Sequence, residues 1–310
     1  MKEDPVRVRS LLALSLTFLL PVAAQDQAPL SDFVRVIEAP GVGEVLECSI
    51  REYKAPKPDS KVGQRMFGGM GAMLGKQKPL PPRPTVVLVS MIHFGEQGFF
   101  SQVKEELAKA DLVLYEEQGS DDMNAMQAEM IQMATGLHFQ GAEIPHAGNE
   151  TWRSADLTQE QLFRLLGIHP DTIKQMQGMM KGMKLTPKML EANPAMKQML
   201  PNRAQIIAQM RNGAPSLGEQ LGGKVGDVII RQRNAVAMGE LTRATYEERK
   251  RIVLIYGAGH MPEIEAYLTG PLAYTRQSQR WLKAVYADPE AATRQQQPSS
   301  KGLPAGSRWY

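Results

Sequence analysis

Two apolar runs in this chain end in a histidine: Val86-Val87-Leu88-Val89-Ser90-Met91-Ile92-His93 and Ile252-Val253-Leu254-Ile255-Tyr256-Gly257-Ala258-Gly259-His260. A neutral imidazole is a nitrogen ligand for divalent metals and a proton carrier near neutral pH. A third run, Asp111-Leu112-Val113-Leu114-Tyr115-Glu116-Glu117, ends in carboxylates where strands usually close on glycine or asparagine. Two imidazoles and a carboxylate can hold a divalent ion and leave positions open for water and substrate. Taken singly, each strand-end histidine is an ordinary hydrogen-bonded loop residue. Their pairing is what points to a shared site.

The elements that must carry these residues follow from patterning. Each run is rich in β-branched and aliphatic residues, as expected of strands buried on both faces of a parallel sheet, where ligands gather at the carboxyl ends. Between His93 and Asp111, Phe99, Val103 and Leu107 recur every four residues and predict a helix over about 97–110. Strand, helix, strand is a βαβ unit, whose right-handed crossover predicts His93 and Glu116 on the same sheet edge. Upstream, Phe33–Ile37 and Val45–Tyr53 flank a Pro-Gly turn and predict an antiparallel hairpin at the sheet margin. Residues 54–84 are rich in Lys, Pro and Gly and read as a flexible loop. From about 121 to 220 the chain turns helical, with Met123, Met126, Met130 and Met133 in one segment and Met176, Met179, Met180 and Met183 in another. A helix over about 225–241 precedes the His260 strand, and Met261-Pro262-Glu263 suits the first turn of another. Residues 289–310 have a disordered composition. The expected fold class is α/β: a mostly parallel central sheet with flanking helices, an N-terminal antiparallel hairpin (25–53), and a Met-rich helical insertion within a main domain over 85–288.

Lys2, Arg7 and Arg9 precede an apolar run from Leu11 to Leu20 and the small residues Ala23 and Ala24, the layout of a cleavable secretory signal over 1–24. That run is shorter than the roughly 20 residues a membrane span needs. A periplasmic or secreted protein with no membrane span after cleavage is expected. Cys48 is the only cysteine, which excludes internal disulfides and cysteine-rich zinc sites. It alternates with Leu46 and Ile50 on one face of a half-buried strand. The net charge of +3 is small, its Lys and Arg residues are scattered, and no nucleic-acid partner is expected.

In this order the motifs resemble the TraB/GumN family, which includes Tiki-type metalloproteases and is related to erythromycin-esterase and ChaN-like folds. The resemblance runs from about Leu46 to Leu268 and skips the Pro/Gly loop. It rests on Ser90-Met91-Ile92-His93 in the place of a first Gly-x-x-His, on Asp111 with Glu116 five residues on, on Ala155-Asp156-Leu157, on Arg233-Asn234, and on Gly257-Ala258-Gly259-His260. It implies that His93, His260 and Glu116, in preference to Glu117, bind a manganese, cobalt or zinc ion. Ser90, Gly257, Asn234 and Asp156 would stand behind them. Ser90 replaces the family's first glycine and would crowd a ligand if that position needs close approach. The implied activity is hydrolysis of a peptide or protein, with Arg233 or Arg231 stabilising an oxyanion and Glu96 or Glu117 taking a proton from water. A non-catalytic peptide- or signal-binding module of the same fold is the alternative.

The remaining features read as structure. His138, His146 and His169 belong to no motif. Methionines three and four apart share single helix faces, which accounts for them as packing, although thioethers also suit copper(I). Gly257-Ala258-Gly259 has the look of a dinucleotide-binding turn, but Pro262 stands where its third glycine belongs, and no acidic ribose partner follows.

Overall fold

In the computed structural model the two histidine-ended runs are adjacent parallel strands. The structure describes residues 32–56, 82–118, 121–144, 146, 148–169, 171, 172, 175, 178, 202–211 and 223–296. The signal segment, most of the Pro/Gly loop, the second methionine group and the last residues of the tail lie outside them. The chain begins with β1 (Val34–Ala39), β2 (Gly43–Lys54), β3 (Thr85–Met91), β4 (Phe94–Gly95), α1 (Gln97–Leu107) and β5 (Leu112–Tyr115). Next come α2 (Asp121–Thr135), β6 (His138–Phe139), α3 (Gln140–Glu143), β7 (Trp152–Ser154), α4 (Gln159–Leu166) and α5 (Arg203–Arg211). A composite helix follows, made of α6 (Gly223–Gly226), a π-helical segment (Asp227–Gln232) and α7 (Arg233–Thr245); β8 (Arg251–Gly257), α8 (Met261–Thr269), β9 (Thr275–Tyr286) and α9 (Pro289–Gln296) complete the order.

Seven strands form one mixed sheet in the order β1-β2-β3-β8-β5-β7, with β9 paired to β2. Its heart is the parallel set β3-β8-β5-β7. The expected α/β class with an N-terminal hairpin is what the structure has. The strand runs are apolar at nearly every position because both faces are covered. Val87, Val89, Val113, Val253 and Ile255 face one core with Phe99, Phe100, Val103 and Leu107 of α1. Val86, Leu88, Leu112, Leu114, Ile252 and Leu254 face the other, with Ala237, Leu241 and Ala244 of α7 and Ile264 and Leu268 of α8. The alternation is the two-residue period of the pleat. Among the described residues no helix is long and apolar enough to cross a membrane.

Three expectations change. The hairpin is not the sheet margin: β9 pairs antiparallel along β2 from Val45 to Lys54, while β1 and β3 share the other side of β2. β9 carries no legible signal in its first half because Thr275 to Arg280 are polar and exposed. Nor is β2 half-buried, since Glu47, Ser49 and Arg51 are buried as well as Leu46, Cys48 and Ile50. Arg51 is tolerated inside because its Nη1 donates to Glu265 at 2.7 Å and its Nη2 to the Asp32 carbonyl. The βαβ unit does set His93 and Glu116 at the same sheet edge, with β8 lying between β3 and β5. Finally, residues 289–296 are helical: Asp288 Oδ1 accepts the Glu290 and Ala291 amides, both at 2.9 Å, and Ala291 and Ala292 are buried. A good N-cap and a small apolar face outweigh composition.

At the amino ends of the parallel strands a charged cluster fastens α1 to the sheet. Buried Glu106 accepts from Arg251 Nη2 at 2.5 Å, Arg280 Nη2 at 2.7 Å and Lys109 Nζ at 3.0 Å, and Arg251 also reaches Glu52 at 3.0 Å. Burial pushes the Glu106 carboxyl up, but these donors overcome it and hold it at about 2. A folded-state value below the ordinary 4.5 means the stabilisation is complete above that pH and fades as pH falls towards about 2. Arg280 and Lys109 are themselves partly exposed and screened, so Glu106→Gln should cost on the order of 2 kcal/mol at neutral pH. Urea unfolding across pH should show the wild-type advantage shrinking below about pH 4.5. A gap that stays constant down to pH 2 would remove Glu106 as its source.

Candidate functional site

Each of the four parallel strands delivers one polar side chain just beyond its carboxyl end: His93 after β3, His260 after β8, Glu116 after β5 and Asp156 after β7. Backbone bonds fix these ends side by side. The Ala258 amide donates to Met91 at 2.8 Å, Glu116 to Ile255 at 3.2 Å and Ala155 to Tyr115 at 2.9 Å. The ligand position expected for parallel sheets is therefore also where the chain gathers its charge.

Glu116 is buried at the centre. Its Oε1 accepts from Arg233 Nη2 at 2.7 Å and its Oε2 from the Gly257 amide at 2.6 Å. Burial pushes the carboxyl up, but Arg233, the neighbouring His260 and His93, and the Gly257 amide together hold it down at about 2. Arg233 is shared: its Nε donates to both Asp156 oxygens at 2.9 and 3.1 Å, and its Nη2 also pairs with Asp156. Asp156 in turn accepts the Leu157 amide at 2.7 Å and the Glu117 amide at 3.2 Å, binding the ends of β7 and β5 together. Among the described residues Arg233 Nη1 makes no hydrogen bond.

The helix that supplies Arg233 changes its winding immediately before it, from the π-helical turn Asp227–Gln232 to α7. An i→i+5 turn shifts the phase of everything after it, and such turns often occur at functional positions. Arg233 thereby reaches Glu116 and Asp156, while the next residue, buried Asn234, reaches His260. Arg231, the other arginine considered for the site, is exposed and lies near Asp227.

His260 is held in one tautomer. Asn234 Nδ2 donates to Glu263 Oε2 at 2.5 Å, which aims its Oδ1 at His260 Nδ1, 2.7 Å away. A carboxylate only accepts and an amide oxygen only accepts, so Nδ1 must carry the proton and Nε2 the lone pair. That Nε2 stands 3.7 Å from Glu116 Oε1. Burial lowers the pKa of His260 against the opposing pull of Glu116, and Arg233 adds to the lowering. A neutral imidazole nitrogen and an ionised carboxylate oxygen thus face one another, an arrangement that suits a cation. Among the described residues no three His, Cys, Asp or Glu side chains already stand together as an ion site. His93 is close enough for its charge to bear on both Glu116 and His260, and its Nδ1 lies 3.1 Å from Gln118 Oε1.

The structure thus gathers His93, His260, Glu116, Asp156, Arg233, Asn234 and Gly257, with Glu117 joined through its backbone. Two expected residues stand elsewhere. Glu96 pairs with Arg203 of α5 and accepts the Tyr286 amide at 3.3 Å, so it anchors helix and sheet. Ser90 Oγ donates to the Phe33 carbonyl at 2.9 Å, beside Cys48. The register sets Met91, not Ser90, opposite Gly257, so a serine here does not crowd the site. Two residues escaped sequence reasoning. Gln118 has no distinguishing motif. His146 stacks on Tyr115 at 4.2 Å between centroids, with both ring nitrogens buried and without a hydrogen-bond partner among the described residues, and only the fold brings it there.

Comparison of the chain with family models, with curated proteins and with solved structures finds no match in any of the three.

Gly257 is required by close approach. A Cβ there would lie 3.1 Å from Glu116 Oε2 and 3.4 Å from His260 Cδ2, and the carboxylate is held too firmly to yield. Gly259, two residues on, has nothing within 4 Å of such a Cβ. Gly257→Ala should lower stability by about 1–3 kcal/mol, the loss of a charge-assisted hydrogen bond, whereas Gly259→Ala should be neutral or slightly stabilising. Equal denaturation midpoints for the two variants would contradict this.

Proposed function

We propose that the chain is an exported metal-dependent hydrolase of the TraB/GumN kind, acting on peptides. The observation that carries the reading is the His260 Nε2 lone pair opposed to the ionised Glu116 oxygen, with the imidazole's other nitrogen pinned by Asn234. A metal-ligating histidine typically donates its second N–H to such a partner. His260 and Glu116 would hold the ion together with His93, and manganese, cobalt and zinc all suit nitrogen and oxygen donors. When bound, a divalent ion supplies Lewis acidity and an acidified water. The peptide substrate is taken from the resemblance of the motifs.

The protein's own groups have separable tasks. Arg233 keeps Glu116 ionised despite burial, and through Asp156 it ties that carboxylate to β7. Its Nη1 remains to receive negative charge developing on a substrate oxygen. Glu117, next to Glu116 at the strand end, is the proton acceptor in this reading. Asn234 keeps His260 from rotating and from presenting an N–H where a lone pair is needed.

The test is elemental analysis of the mature protein, purified without chelator, beside His93→Ala and His260→Ala. The expected result is about one manganese, cobalt or zinc per chain in the wild type and its loss in both variants, with unchanged circular dichroism. Undiminished metal in both would sink the proposal. A wild type that takes up no added ion yet binds peptides without cleaving them would make the protein a binding module.

A further inference from the structure

His93 and Glu116 follow strands that are not neighbours, because β8 separates β3 from β5. Something must set the distance between them, and the side chain that spans the gap is Gln118. Its Oε1 lies 3.1 Å from His93 Nδ1, and its Nε2 donates to the Glu116 carbonyl at 3.5 Å. An amide that donates through nitrogen presents its oxygen at the other end, and that oxygen can only accept. The hydrogen on His93 therefore sits on Nδ1, and Nε2 carries the lone pair.

We infer that Gln118 is a positioning residue for His93, holding its ring in the Nδ1–H tautomer and tying it to the backbone of Glu116, so that His93 offers Nε2 to the same cation as His260. This rests on the metal-site reading above. Two independent details support it. Asn234 does the same for His260 from helix α7, with its own nitrogen anchored on Glu263, so both rings are locked by an amide oxygen at Nδ1. The length of the side chain also matters, since Gln118 is two residues beyond the carboxylate and must reach past the end of β8 to His93. His146, whose two ring nitrogens have no hydrogen-bond partner among the described residues, lacks such a lock, which marks the two locked rings as the prepared ones.

The experiment uses the full mature chain labelled with 15N-histidine, long-range 1H–15N correlation to read each tautomer, and calorimetric titration with Co2+. His93→Gln assigns the His93 resonances. In the wild type His93 should be the Nδ1–H tautomer before any metal is added. Gln118→Met, of similar size but unable to accept, should release His93 into a mixture of tautomers and weaken Co2+ binding about 10- to 100-fold. Gln118→Glu, which still accepts from Nδ1, should keep the hydrogen on that nitrogen. Circular dichroism and melting temperature should be the same in all three. An Nε2–H wild-type His93, or a Gln118→Met protein with unchanged tautomer and affinity, would overturn the inference. If the wild type binds no Co2+ while its His93 tautomer still depends on Gln118, the positioning role stands and the hydrolase reading fails.

Discussion

A carboxylate buried at the carboxyl ends of four parallel strands is the constraint that organises this protein. Glu116 is ionised where water cannot solvate it, and leaving it uncompensated would cost several kcal/mol. Every neighbour can be understood as part of the compensation. Arg233 brings a positive charge, Gly257 a backbone amide that only a residue without a Cβ could bring so near, and Asp156 holds Arg233 in place from the far side. The π-helical turn before α7 belongs to the same requirement, because it sets the phase at which Arg233 and Asn234 meet the strand ends. Such a turn is a poorer helix than its surroundings, and tertiary contacts of this strength account for its persistence.

The two ends of the sheet divide the work. At the amino ends, Glu106 gathers Arg251, Arg280 and Lys109 and joins α1, β8 and β9. All of its partners are cations, as befits a fastening. At the carboxyl ends the groups are left incomplete: a lone pair on His260 opposes a carboxylate, and one nitrogen of Arg233 has no hydrogen bond among the described residues. Both clusters contain a buried carboxylate held near 2, so the depressed pKa does not distinguish structure from function. The His260 lone pair that faces the carboxylate does.

Much of this was legible in the residues. Apolar runs ending in histidine and glutamate announced both the parallel core and the polar groups at its ends, because a parallel strand buried on both faces admits few polar side chains until it leaves the sheet. The helix over 97–110 and the Pro-Glu first turn of α8 followed from periodicity and capping. What could not be read was long-range. β9 looks like a polar tail in its first half, and only pairing with β2 makes it a strand. The strand order, with β8 inserted between β3 and β5, depends on a crossover formed by more than a hundred intervening residues. For the same reason Glu96 seemed close to the site: it is three residues from His93 in sequence, but it starts α1 and turns away to Arg203. Gln118 and His146 have ordinary residue types in ordinary contexts and acquire meaning from what the fold sets beside them.

The choice of amides as the partners of both imidazoles has an electrostatic logic. Glu116, Asp156 and Arg233 together carry one negative charge, and a neutral histidine adds none. Had the Nδ1 partners been carboxylates, each ring would be drawn towards the imidazolium, and a proton would occupy the nitrogen that faces Glu116. Burial opposes that protonation at His260, and Arg233 opposes it further. An amide oxygen orients the ring as firmly as a carboxylate does but leaves Nε2 less basic towards protons. In a site whose central carboxylate already attracts positive charge, neutral orienting groups are what keep the lone pair available for a cation other than a proton.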